Sequence, residues 1–401
     1  MAAITTAEKG VPSVLILEAN SHPLEKVRIS GGGRCNVTNA CWDPKDLSLN
    51  YPRGKNHALN SFRKFASGDT VSWFAERGVD LITEIDGRMF PASNSSSEII
   101  SCLTNSAESL GVQIKTKAEV ISIEINSENN FSITSRDGSV LNSRMVLLST
   151  GGTPGGKKIA LNLGHKIVSP VPSLFSFQLK ENTITSSSGL ALDNINLTLR
   201  TTTKTFKEKG RVLITHWGLS GPCVLRLSSF AARELFLDKY NAKLTINWVD
   251  LNFQEIECLF TDYRNKYGKK SLLSFKPFKN LPKKFWLILL EQAGIDSSTR
   301  WAELTKIDRE RLINSLISSF YLIKGKGPFR DEFVTAGGIN LDQIDFSTME
   351  SKSIKGMFFA GEVLDVDGLT GGFNFQHCWT SGWIAGLAIS KQYSHLKQKI
   401  F

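Results

Sequence analysis

No C-x-x-C pair occurs among the six cysteines, which stand at positions 35, 41, 102, 223, 258 and 378. Their spacing indicates neither a metal site nor a disulfide framework, and free thiols are expected. Long apolar runs are missing too. The longest, such as Phe285 to Leu290 and Trp383 to Ile389, fall far short of the roughly 20 residues of a membrane-spanning helix. Residues 1–10 carry Glu8 and Lys9 and no continuous apolar stretch, so a secretory signal is not supported and the cytoplasm is the default expectation. Internal repeats and long low-complexity tracts are absent, the Ser-rich pieces at 93–97 and 186–188 being short.

What is present is an ordinary globular composition of two to three domains' length, at about 150 residues per domain. Of 401 residues, 41% are hydrophobic and 21% charged, which excludes disordered and fibrous classes. Lys and Arg number 48 against 38 for Asp and Glu, a net charge of +10, compatible with a polyanionic partner.

Val14 to Leu17 form a short apolar run ending in Glu18, the pattern of a buried parallel strand with an acid at its carboxyl end. In a dinucleotide-binding βαβ unit that acid reads ribose hydroxyls, and the strand follows a helix that itself follows a G-x-G-x-x-G turn. Met1 to Gly10 reads as the end of such a helix, with Gly10 as its C-cap. The first strand and its Gly-rich turn are not in the sequence; roughly a dozen or more residues would supply them. Taken alone, an acid after a strand is more often a surface group.

Further on, Asp69 caps an apolar helix, Ser95 to Leu110 forms another, and Leu81 to Phe90 makes a hairpin at Asp86-Gly87. Strands are expected over 112–116, 118–125, 131–135 and 140–148. The last of these runs into Thr150, Gly151 and Gly152, where missing side chains let backbone approach a cofactor. From about 173 to 335 the character changes. Strands are expected at Leu197 to Phe206 and Lys243 to Trp248, and helices near 253–265, 282–293 and 307–319. A buried strand at Met357 to Ala360 and a small-residue helix at Ser381 to Ile389 follow. The expected division is 1–172, an insert over 173–335, and 336–401.

Two segments carry chemistry. The first, Lys26 to Asn39, holds Ser30, Gly31, Gly32, Gly33, Arg34, Asn36 and Asn39. Its glycines can expose backbone N–H groups beside a guanidinium and amide side chains, a setting for an anionic or amide-rich ligand. The second, Gly356 to Gln376, ends a strand at Gly361 beside Glu362 and leads through a loop to a helix expected near Thr380, whose backbone donors would stabilise negative charge. Candidate proton donors are His216 beside Trp217, Cys35, and His377 beside Cys378. Against them stand a structural histidine and a small packed thiol.

The basic excess is local. Arg264, Lys266, Lys269, Lys270, Lys276, Lys279, Lys283 and Lys284 occur without an intervening acid, interleaved with Tyr267, Phe275, Phe278, Phe285 and Trp286. Segment 264–284 resembles a surface that tracks phosphates and stacks bases. A solvated basic face over core aromatics explains it equally well. Arg200, Lys204, Lys207, Lys209 and Arg211 extend the bias.

The runs SGGGRCNVTN (30–39) and FFAGEVLDVDGLTGGFNFQ (358–376) resemble a bacterial flavoprotein family that groups bile-acid dehydro-reductases of the BaiN type, aminoacetone oxidase-like enzymes and a ribosomal-RNA dihydrouridine synthase. The resemblance extends to VLLSTGG (146–152), LGHKIVSPVPSLF (163–175), THWGLSGP (215–222) and VTAGGI (334–339), nearly the whole chain. It implies an α/β fold in which a Rossmann-like FAD-binding domain in two segments is interrupted by an insert with β-barrel-like and helical parts. Glu18 would hold the adenosine ribose, Gly361 and Glu362 the pyrophosphate-ribitol region, and Gly31 to Asn39 would lie against the flavin. Ser30, Thr150, Gly151, Gly152, Asp365, Gly371, Gly372, Asn374 and Gln376 would complete the cofactor set.

Two departures stand out: the absent first strand and turn, for which a start upstream of Met1 is the expectation and a degenerate relative the competitor, and a short loop from Gly151 to Lys157. The implied activity is FAD-dependent reduction of a conjugated C=C bond, with NAD(P)H visiting the flavin as electron donor. The expected substrate is a uridine in ribosomal RNA, bound through the basic segment. Alternatives are a small-molecule enone reductase or amine oxidase, and a non-catalytic RNA-binding scaffold.

Overall fold

The computed structural model describes residues 1–128, 130–180, 183–328 and 334–398. It divides into two compact units, one of Met1–Pro170 with Thr335–Phe401, the other of Val171–Val334.

In the first unit, strand Leu15–Leu17 pairs in parallel with Gln113–Lys115, and the two form a sheet of their own. The expectation of a buried strand is corrected here. Leu15 is 42% exposed, because a strand with one partner lacks the cover that parallel strands have inside a larger sheet. A second sheet runs in the order Ile344–Asp345, Glu350–Ser351, Met357–Phe359, Val146–Leu148, the last pair parallel.

The single strand expected over 140–148 is two. Val140–Ser143 closes a three-stranded antiparallel sheet with Val120–Ile125 and Phe131–Ser135. The chain then turns at Arg144 and Met145, where the Ser143 hydroxyl donates to the Met145 carbonyl at 2.7 Å. The hairpin at Asp86-Gly87 is present as Leu81–Thr83 and Arg88–Pro91.

The helix expected near Thr380 starts earlier, spanning Phe373–Gln398. Its first turns bury Gln376, His377 and Thr380, polar groups that break the apolar period on which helix recognition rests. It packs on the helix Ala2–Glu8 at Gly386, where a Cβ would lie 2.7 Å from the Ala2 carbonyl.

The second unit holds a closed six-stranded barrel in the order Phe177–Leu179, Gly218–Ser220, Thr205–Thr215, Ala191–Arg200, Ala242–Asn247, Ser319–Lys326. Closure removes the free edges an open sheet would present. Alternate residues such as Leu197, Leu199, Val212, Ile214, Leu244 and Ile246 fill it. The strand expected over Leu197 to Phe206 is instead a hairpin corner. Thr201 N donates to the Lys204 carbonyl (2.9 Å), and Asp238 accepts from Thr202 N (2.7 Å). Threonines 201–203 have strand propensity, but these bonds turn the chain.

Helices Phe253–Tyr267, Lys283–Gln292 and Lys306–Ile317 cover the barrel core with Phe260, Phe285 and Trp286, joined by Trp301 from the segment between the last two helices, all fully buried. The first is opened by a capping box between Asn252 and Glu255.

Candidate functional site

The segment after Leu17 starts a helix at Glu25 that breaks at Ser30, whose ψ of 149° is extended. Gly31 follows at φ +56°, with Asn36 N 3.1 Å from where a Cβ would stand. This sharp reversal delivers Asn36, Thr38 and Asn39 to the start of the helix Phe373–Gln398.

There the two sequence motifs lock together. The Asn36 side-chain oxygen accepts from Gly372 N (2.9 Å) and its nitrogen donates to the Thr38 carbonyl (3.0 Å). Asn39 Nδ2 donates to the Gly371 carbonyl (2.9 Å). Gln376 Oε1 accepts from the hydroxyls of Thr38 (2.6 Å) and Thr70 (2.9 Å), while its Nε2 donates to Thr380 Oγ1 (3.0 Å). Trp379 Nε1 donates to the Val37 carbonyl (2.9 Å). Each bond is worth about 0.5–1.5 kcal/mol net, but leaving a buried partner unpaired costs more. Asn36, Asn39 and Gln376 are thus employed in holding the two segments together.

Gly372 is the closest approach. Its φ is +92°, and a Cβ would lie 2.3 Å from the Thr38 carbonyl oxygen. The helix that begins beside it has Gln376 N bonded to the Gly372 carbonyl (3.0 Å), which leaves the preceding N–H groups of the first turn directed out of the helix. Asn374 braces the entry, accepting from Gly368 N (2.8 Å) and donating to the Gly368 carbonyl (2.9 Å).

A charged corner lies at the carboxyl ends of the parallel strands. Lys26 Nζ is ion-paired with the Glu362 carboxylate. A Cβ on Gly151 would come within 3.3 Å of that ammonium and 3.6 Å of that carboxylate, so bare backbone faces the pair. Lys157 is buried nearby. Burial lowers its pKa, with Lys26 adding to the effect and Glu362 and Asp365 opposing it. Gly361 N donates to Ser381 Oγ (3.0 Å). Thr150 is exposed beside the half-buried Gly151 and Gly152, and Asp365 is buried. Glu18, at the end of Leu15–Leu17, is half-buried and accepts from Asn20 N (2.8 Å). Arg34 is turned aside, paired with Glu84 (2.8 Å) and lying 3.9 Å over the Phe90 ring.

Residues 1–388 match the family described as HI0933-like protein Rossmann domain. The chain belongs to that family. Its curated relatives include the 3-dehydro-bile acid delta(4,6)-reductase of Clostridium scindens, 27% identical over 402 residues, 98% of this chain and 96% of that protein. The ribosomal RNA dihydrouridine synthase of Escherichia coli is 28% identical over 381 residues (92% and 90%), and that of Haemophilus influenzae 28% over 396 residues (95% and 93%). The HI0933-like proteins are FAD-dependent oxidoreductases, and this chain is an enzyme of that type.

The residues present fit a flavin dinucleotide. Bare glycine backbone faces the Lys26–Glu362 pair, and a helix N-terminus, which favours negative charge, begins beside Gly372. In this HI0933-like chain the proton-donor candidates are scattered. Cys35 is fully buried and its thiol is pushed up to about 11 by burial, a packing environment. Cys378 is pushed up to about 12 by burial and Glu362. His216 is exposed in the second unit. Thr70 and Arg53 lie outside the two segments singled out in the sequence, since their partners Gln376 and Asp367 are distant along the chain and no local pattern marks them; Lys26, Thr38 and Asp367 lie within those segments, and Lys157 at the end of the loop from Gly151, without having been named as site residues.

His377 is 2% exposed, with neither ring nitrogen hydrogen-bonded to a side chain or backbone among the described residues, and lies 6.4 Å from the Tyr51 ring. Burial pushes its pKa down from 6.5 to about 4, opposed only by the Gly361 backbone. Between those values the unfolded chain binds a proton that the folded protein refuses. Stability is therefore fully present above pH 6.5 and falls as the pH drops toward 4, by about 3 kcal/mol for this one group. His165, also lowered by burial, acts in the same direction. Urea denaturation across this range is expected to show His377→Phe losing less stability on acidification than wild type; an unchanged slope would contradict it.

Proposed function

We propose that the protein reduces the C5=C6 bond of a uracil ring in ribosomal RNA, with FAD as its cofactor and NAD(P)H as electron donor. The observation that carries the redox part is the interlock of Asn36, Asn39 and Gln376 with the start of the helix Phe373–Gln398. It fixes backbone N–H groups at one place and keeps side chains out of it. Bound there, FAD would supply the hydride. The chain's own work is positional and electrostatic. The helix start would favour negative charge on the cofactor, Glu18 would accept from a ribose hydroxyl, and Lys26 with Glu362 would face the pyrophosphate-ribitol region.

Of Cys35, His216 and His377, only His216 meets solvent. The proton that completes saturation of the ring comes from a side chain or from water. The RNA substrate is supported by the basic surface of the second unit and by the two relatives named as ribosomal RNA dihydrouridine synthases. The reductase relative of Clostridium scindens supports a second reading, a small-molecule enone as substrate.

The test is incubation of the enzyme with FAD, NADPH and ribosomal RNA lacking dihydrouridine, followed by mass spectrometry of nuclease fragments. A fragment that gains two hydrogens, with a rate that falls steeply with salt, is the expected result. Unmodified RNA together with oxidation of NADPH by an unsaturated ketone would transfer the assignment to the second reading.

A further inference from the structure

The eight cations between residues 264 and 284 do not form one uniform face. Lys266 is ion-paired with Asp262 (2.9 Å), Lys284 Nζ donates to the Ser186 carbonyl (2.6 Å), and Lys276 Nζ donates to the Phe278 carbonyl (2.8 Å). Of the interleaved aromatics, Phe285 and Trp286 are fully buried and Phe278 nearly so. The remainder gather at one place, the loop from Tyr267 to Phe275.

Four rings make a ladder from the core to this loop. Trp301, fully buried, lies 5.5 Å from Tyr263; Tyr263 lies 5.1 Å from Tyr267; Tyr267 lies 4.4 Å from Phe275 at 40°. Phe275 is 37% exposed and Tyr267 half-buried. Lys269 and Lys270 stand exposed within the loop that this last pair closes, and Arg264 one turn before it. None of the three forms an ion pair among the described residues.

The loop is pinned rather than loose. Trp301 Nε1 donates to the Phe275 carbonyl (2.8 Å), Trp301 N to the Lys270 carbonyl (3.1 Å), Ala302 N to the Gly268 carbonyl (3.0 Å) and Leu272 N to the Thr299 carbonyl (2.9 Å). The acids of the neighbouring segment are engaged elsewhere, Glu303 with Arg300 and Asp296 with Ser298.

We propose that the Tyr267–Phe275 pair is a stacking platform for an unpaired base of RNA, with Arg264, Lys269 and Lys270 holding the phosphates on either side. An exposed, rigidly held aromatic between cations without acidic partners is what single-stranded nucleic acid selects: a π-face for a base and positive charge at backbone spacing. Double-stranded RNA presents no free base face to such a ring. The proposal rests on the RNA reading above and deepens it by naming where single-stranded RNA is held.

The test is fluorescence anisotropy with a labelled oligouridylate of about 12 nucleotides, within the range such sites cover. Phe275→Ala is expected to weaken binding about tenfold, the equivalent of one lost base stack, while Phe275→Tyr, which keeps the ring, retains wild-type affinity. Lys269→Gln combined with Lys270→Gln is expected to lower the slope of log Kd against log salt by about 1.4. Wild-type binding that none of these variants alters overturns the platform and leaves the RNA reading standing; no binding by wild type overturns both. Equal thermal midpoints for Phe275→Ala and Phe275→Tyr show that a difference in binding is not a folding defect.

Discussion

Arg53→Met is expected to cost about 3–5 kcal/mol of folding stability, the usual penalty for breaking a buried ion pair by removing one partner. Asp367 is 1% exposed and Arg53 9% exposed, and the guanidinium is paired with the carboxylate. Their backbones also meet in an isolated antiparallel bridge. Removing the cation takes its guanidinium partner from a buried carboxylate, whereas replacing both by apolar residues of similar volume removes both buried charges. The double variant Arg53→Met with Asp367→Leu is therefore expected to be more stable than Arg53→Met alone. The effect reaches the site, because Asp367 sits in the loop that delivers Gly371 and Gly372 to Thr38 and Asn39. Urea denaturation of the three proteins measures it. A loss below about 1 kcal/mol for Arg53→Met would place the pair among solvent-screened ion pairs.

Gly372→Ala is the second large effect, and it falls on cofactor affinity. At φ +92° any L side chain is strained by about 1–3 kcal/mol. Here the new Cβ also meets the Thr38 carbonyl at 2.3 Å and the Asn36 amide at 2.9 Å, so the helix start has to move away from the segment it is bonded to. Gly138→Ala, in the turn between Phe131–Ser135 and Val140–Ser143 and outside the proposed site, is the matched control. Its φ is +82° but nothing lies within 4 Å of the added carbon, so only the backbone strain applies. FAD titration followed by quenching of flavin fluorescence is expected to show at least about tenfold weaker binding for Gly372→Ala, or roughly 1.4 kcal/mol. Gly138→Ala is expected to stay near wild type. Equal affinities in the two variants would mean that the helix start does not shape the flavin site.

The parts of this architecture that were legible in the sequence are those with local signals. The glycine run at 31–33, the strand Met357–Phe359, the hairpin at Asp86-Gly87 and the helices of the second unit declare themselves through turn chemistry or apolar period. What was not legible depends on partners far along the chain. The helix Phe373–Gln398 hides its first two turns because Gln376 and Thr380 bury polar groups satisfied by Thr38, Thr70 and Phe65. Strand Ser319–Lys326 follows a helix with one residue between them and is defined by closing the barrel between Ala242–Asn247 and Phe177–Leu179. The basic run shows the same limit on the surface: periodicity alone did not separate Phe275, which is exposed, from Phe278 and Phe285, which are core.

We propose that residues 30–39 and the start of the helix Phe373–Gln398 together form the flavin site. The visible absorbance spectrum of the protein after incubation with FAD and gel filtration, recorded for wild type and for Gly372→Ala, decides this. Retained flavin is expected in wild type, with less in Gly372→Ala. Loss of all flavin from the folded wild-type protein, or equal retention by the two, would contradict it.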